Sequence, residues 1–128
     1  MFESSALVRL TDKNASDLIG NAEAPYIILF ESRYDSHIAK MIEAFRATLE
    51  SLGPGVLAFV CMVEDAPELS QRFEVFGVPT TVLGLWDSVL GVSLGMKTAD
   101  QLRSLVENWL QRGTARPVTS RGLSTVSR

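Results

Sequence analysis

Apolar positions along this chain fall into two kinds of run. Tyr26 to Phe30 is five consecutive apolar residues, and Val56 to Val63 is a second uninterrupted stretch. Short runs without polar alternation, rich in β-formers, predict central strands buried on both faces. Between them, Ile38, Met41, Ile42, Phe45, Leu49 and Leu52 recur at helical spacing, so His37 to Leu52 is expected as a helix with one apolar face. Gly53-Pro54-Gly55 stops it.

The weaker signals fill in the rest. Residues 5–10 suit a short edge strand, and a short helix is expected around Ala15–Ile19. Glu31 to Ser36 is polar and is expected to end the strand before it. Pro67 fits the first turn of a helix reaching Phe73 or Val75. Thr80–Leu85 and Val89–Leu94 read as a hairpin turned at Trp86-Asp87-Ser88. A last helix starts at Thr98-Ala99-Asp100, with Leu102, Leu105, Val106, Trp109 and Leu110 on one face. The order β-α-β-α-β-α-β-β-α predicts an α/β fold: a mixed central sheet with helices on both faces.

Composition narrows the chemistry. The chain has 128 residues, 46% of them hydrophobic and 21% charged, which suits one globular domain. All 15 acidic residues precede residue 111, where they meet eight basic ones. Arg112, Arg116, Arg121 and Arg128 stand alone in the last 18 residues. The expected division is a compact acidic domain, 1–110, and a basic, disordered tail, 111–128. Four arginines without interleaved aromatics give only a weak nucleic-acid signal. No apolar run reaches the ~18 residues that span a bilayer, and the start lacks a signal-peptide core. One cysteine and one histidine exclude an internal disulfide, a CxxC pair and multi-cysteine or histidine-rich metal sites. No cofactor or metal is expected, and the lone thiol without an export signal fits the cytoplasm.

Three local segments then acquire a meaning. Leu7-Val8-Arg9-Leu10-Thr11-Asp12, Phe73-Glu74-Val75-Phe76-Gly77-Val78-Pro79-Thr80, and Gly95 followed by the helix start Thr98 to Leu102 resemble the thioredoxin family's opening strand, its glycine–isoleucine–proline–threonine segment and its ending. The resemblance spans residues 7–110 and implies the thioredoxin fold. It also marks what is missing. The family's tryptophan–cysteine–glycine–proline–cysteine motif falls on Tyr34-Asp35-Ser36-His37-Ile38, with Asp35 at the nucleophile and Ile38 at the resolving position. Thiol–disulfide exchange needs a thiolate and then a second thiol, which neither residue supplies. The family's buried acid and its neighbouring lysine fall on Leu29 and Val60, so the proton-handling groups have gone with the sulfur.

What the resemblance leaves is a redox-inactive binding module: a scaffold, assembly factor or chaperone-like protein. Hydrogenase-maturation thioredoxin-like proteins are one example of a similar kind. In the family the loop before the cis-proline pairs with an extended peptide, which here implies a protein-binding rim of Arg33, Tyr34, Asp35, His37, Gly77, Val78, Pro79 and Gly95. Asp35 is also expected to cap the helix that follows it. Adjacent Asp35, Ser36 and His37 have the letters of a catalytic triad without its geometry, since neighbouring helix residues point about 100° apart. The alternative function is a redox enzyme acting through Cys61, which the apolar run around it makes a buried, unreactive thiol. Trp109 or the hairpin offers a route to a homodimer.

Overall fold

In the computed structural model, which describes residues 7–115, the elements follow the order expected. The strands are β1 (Val8–Leu10), β2 (Tyr26–Glu31), β3 (Leu57–Met62), β4 (Thr80–Leu85) and β5 (Ser88–Leu94). The helices are α1 (Ala15–Ile19), α2 (Ile38–Leu52), α3 (Pro67–Arg72) and α4 (Ala99–Ala115), and a single 3-10 turn, Val63–Asp65, follows β3. The strands form one five-stranded mixed sheet in the order β1-β3-β2-β4-β5. β3 is parallel to β1 and β2, while β4 is antiparallel to β2 and β5.

Strand alternation divides the core in two. Tyr26, Ile28, Phe30, Phe59 and Cys61 face α1 and α3, packing with Ala15, Ile19 and Leu69. Ile27, Leu29, Val60 and Met62 face α2 and α4, packing with Met41, Phe45, Leu102, Val106 and Trp109. β2 is buried along its whole length because it lies at the centre of the sheet with helices over both faces. Leu29 and Val60 sit opposite each other in the β2–β3 register, both buried in the second cluster.

Three features differ from the sequence reading. Glu31 does not end the strand before it: it is the last residue of β2, paired with Met62 and fully buried. Backbone pairing with β3 holds it there despite its charge. α4 continues beyond Gln111 to Ala115, carried by the helix-tolerant Gln111-Arg112 pair and by close packing of Gly113 on Leu90. Residues 111–115 of the expected tail are therefore helical, and residues 116–128, with Arg116, Arg121 and Arg128, lie outside the described residues, as do residues 1–6. Finally, Trp109 is 5% exposed, its ring lying against Gly91 of β5 where any Cβ would collide with it. It fills the α4–β5 interface and offers nothing to a second copy.

Two helix starts show how local and distant groups share the same task. Thr98 and Gln101 form a reciprocal capping box on α4, with Gln101 N–H donating to Thr98 Oγ1 at 3.1 Å and Thr98 N–H to Gln101 Oε1 at 2.9 Å. α3 has Ala66 before it and no cap of its own. Its first free N–H groups, on Glu68 and Leu69, donate instead to the two carboxylate oxygens of Asp12, at 3.1 and 2.9 Å.

Candidate functional site

Strand register gathers three loops at one end of the sheet. Phe30 pairs with Thr80, and Thr80 pairs with Leu94. The residues just beyond that row are the β2–α2 loop (32–37), the loop of Gly77, Val78 and Pro79 before β4, and the Gly95 turn after β5. Gly95, at φ +105°, donates its N–H to Pro79 O at 2.8 Å, which ties two of the loops together. The Val78–Pro79 peptide bond is cis, and Thr80 Oγ1 donates to Gly77 O at 2.6 Å.

Apolar groups at this end are left open to solvent. Tyr34 is 80% and Phe76 92% exposed. Leu94, whose side chain touches Gly77, is 64% exposed, and Met96 is 41% exposed. Val78 is half-buried and Pro79 buried. Phe76, Leu94 and Met96 went unmarked in the sequence reading. Phe76 directly precedes Gly-Val-Pro-Thr, which was the available signal; the exposure of Leu94 and Met96 depends on β5 being the sheet's edge.

The polar members of the predicted rim are more occupied than expected. Arg33 is drawn to the far side of its loop, its guanidinium 2.8 Å from Asp65 and 3.7 Å from Glu64. A surface pair of this kind contributes ~0–1 kcal/mol, so it orients Arg33 more than it stabilises the fold. Ser32 Oγ donates to Glu64 Oε2, and Arg33 N–H donates to Glu64 Oε1 at 3.2 Å. His37, its side chain 68% exposed, takes the N-cap position of α2 that was assigned to Asp35. Asp35 lies two residues further out and accepts the His37 N–H through Oδ1 at 3.0 Å, a local Asx turn. The loop itself turns before the helix, with Asp35 N–H donating to Ser32 O and Ile38 N–H to Asp35 O, which pushes the cap position on to residue 37. Ile38 packs against the α2–α4 core.

No triad forms from these neighbours. Ser36 Oγ lies 3.3 Å from His37 Nδ1, and Asp35 Oδ1 lies 4.0 Å from the same nitrogen. A proton relay needs the acid on one ring nitrogen and the nucleophile on the other. Cys61 is turned away from this chemistry. It is fully buried on the α1–α3 side of the sheet, whereas α2 and its entry lie on the other face. Burial, with smaller contributions from the charges of Asp12 and Asp65, pushes its thiol up to about 12.

The residue the sequence reading missed altogether is Glu31. Its Oε1 accepts the Ser32 N–H at 3.0 Å. Glu31 Oε2 and Asp35 Oδ2 are buried oxygens without a hydrogen-bond partner. Burial raises the Glu31 carboxyl to about 7, offset in part by the Ser32 N–H, with the carboxyl groups of Asp35 and Glu64 adding to the rise. Asp35 is lowered, chiefly by the hydrogen bond from the His37 N–H. Among the described residues no group of three His, Cys, Asp or Glu side chains could hold a metal ion, and no helix is long and apolar enough to cross a membrane.

No family model matches this chain, and no curated protein sequence does. The functional reading therefore stands on the residues and geometry above. A shallow depression on α4, lined by Lys97, Asp100, Gln101, Ser104 and Leu105, shares no residue with the three-loop end of the sheet.

Proposed function

We propose that this chain is a redox-inactive protein of thioredoxin fold that works by binding a protein or extended peptide at the three-loop end of its sheet. The observation that carries the reading is the Phe30–Thr80–Leu94 register, which sets Tyr34, Val78 and Leu94 around one rim. The strand order β1-β3-β2-β4-β5 and the cis Val78–Pro79 bond support the thioredoxin likeness. Asp35 and Ile38 stand where that family has its cysteines, and the sole thiol is sealed in the core, so shape and surface are the remaining tools. Exposed Tyr34, Phe76, Leu94 and Met96 supply apolar contact area, and aromatic anchors of this kind dominate binding at interfaces. A scaffold, assembly or chaperone-like role in the cytoplasm fits these features.

Affinity capture with the full chain tests the reading, comparing the wild type with a Tyr34→Ala, Val78→Asp double variant. The double variant is expected to lose at least tenfold of the partners that the wild type retains. Equal recovery by both baits moves the binding surface elsewhere.

A further inference from the structure

The two edges of the sheet are built differently. β1 is three residues long and carries Arg9, whereas β5 runs for seven residues, Ser88–Leu94, with no charge and no proline. Short length, charge and proline are what commonly keep a free edge from pairing with another chain. β5 has only a bulge at Leu90, near the hairpin turn.

One bond fixes which way the backbone of β5 points. Gly95 N–H donates to Pro79 O, in the same register as Ser93 with Thr81 and Gly91 with Leu83. In an antiparallel ladder the residues between such positions turn their N–H and C=O to the other side. Val92 and Leu94 therefore direct theirs away from β4, and Leu94 O accepts a hydrogen bond from Lys97 Nζ there at 3.0 Å. Side chains along this edge are open as well. Val92 pairs with Val82, and Val89 with Gly84, on the face that Val82 and Tyr26 share with α1 and α3. Val82 is buried, while Val92 is 53%, Leu94 64%, Val89 48% and Trp86 60% exposed.

We infer that a second copy of this chain covers the edge: β5 pairs antiparallel with β5 of its partner about a twofold axis centred on Val92, joining two five-stranded sheets into one. Charge pattern selects this occupant. β5 is uncharged between Asp87 in the hairpin turn and Lys97 beyond its end, and among the described residues neither forms an ion pair. Reversal about a twofold sets the Asp87 end of each strand beside the Lys97 end of the other, whereas parallel pairing sets like charge with like. A twofold normal to the sheet also keeps the two α1–α3 faces together, so the strip of Val89, Val92 and Leu94 continues into its copy. On the other face Gly91 comes opposite Ser93, and both are small. Residues 116–128 do not suit the same place. α4 lies on the face of α2, and its Gly113 packs on Leu90. A direct return to the outer edge of β5 would be a parallel crossover opposite in hand to β2–α2–β3, and such crossovers take one hand almost without exception. The two rims end up at opposite ends of the joined sheet, so the dimer goes beyond the binding reading and does not rest on it.

Sedimentation of the full chain tests the dimer. At ~100 μM the wild type is expected to show twice the chain mass of 14.0 kDa. Val92→Lys, at an exposed position facing its own copy, is expected to sediment as a folded monomer. Asp87→Lys is expected to weaken the dimer about tenfold, and combining it with Lys97→Asp to restore it. Amide exchange on the wild type reads the interface directly: the Val92 and Leu94 N–H groups are expected to gain tenfold or more protection as concentration rises. A wild-type monomer at ~100 μM, a dimer that survives Val92→Lys, or a charge reversal that fails to restore association overturns the interface. Protection of the Val92 and Leu94 amides that does not change with concentration also overturns it, and in a monomer points to residues 116–128 as the occupant. If Val92→Lys does not fold, the charge reversal and the wild-type exchange decide. The Tyr34→Ala, Val78→Asp variant is expected to stay dimeric, so the dimer and the rim succeed or fail separately.

Discussion

At the scale of single residues, burial decides what each reactive group can do. Cys61 is the clearest case. A thiol held near 12 and closed off from water is almost wholly un-ionised at neutral pH, and the thiolate is the reactive form. Labelling of Cys61 by a thiol reagent under native conditions is therefore expected to be at least 100-fold slower than for a free cysteine, and to rise to the free rate in denaturant. Rapid native labelling would restore the Cys61 redox reading. The run Val56–Val63 made this burial legible, since a cysteine among eight consecutive apolar residues has no polar face to turn to. Glu31 was the opposite case. A charged residue after an apolar run normally marks the strand's end, whereas Glu31 extends β2 into the core and burial pushes its carboxyl up to about 7.

At the scale of elements, most boundaries could be read because their signals are local. Helical spacing defined α2, and Thr98 with Gln101 closed the start of α4 within one turn. The start of α3 could not be read in this way. Its cap, Asp12, comes from the other end of the chain, after β1, and reaches α3 because β1 lies beside β3 in the sheet. Asp12→Ala removes both acceptors and is expected to destabilise the protein by ~1–2 kcal/mol in denaturant unfolding, while Asp12→Asn recovers part of the loss. No change in the Asp12→Ala midpoint would show that α3 is held by its apolar face alone. The correction at Asp35 has a similar origin. The sequence placed an acceptor near the start of α2, but two extra turns in the loop moved the cap position to His37.

At the scale of the whole molecule, the arrangement separates the thiol from the rim. Cys61 lies in the cluster under α1 and α3, while the entry to α2 belongs to the opposite face. The Leu29–Val60 pair on that opposite face is apolar and supplies no titratable group. Purified protein is accordingly expected to leave the rate of insulin reduction by dithiothreitol unchanged, measured by turbidity against the reductant alone. Catalytic acceleration that survives repurification would overturn the redox-inactive reading. The three loops that meet at the C-terminal end of β2 were only partly foreseen. Tyr34, Val78 and Gly95 follow from short motifs, whereas Phe76, Leu94 and Met96 join them only once β5 is seen to be an edge strand.

By itself the sequence determined the order of the elements, the two central strands and the absence of a thiol pair. Those properties depend on residue counts, or on neighbours a few positions apart along the chain. The tertiary structure alone decided that Asp12 caps α3, that Trp109 lies over Gly91, and that Glu31 is buried. Each of these depends on how strands register and how loops close, and there the partner is chosen by packing across the sheet and not by proximity in the chain.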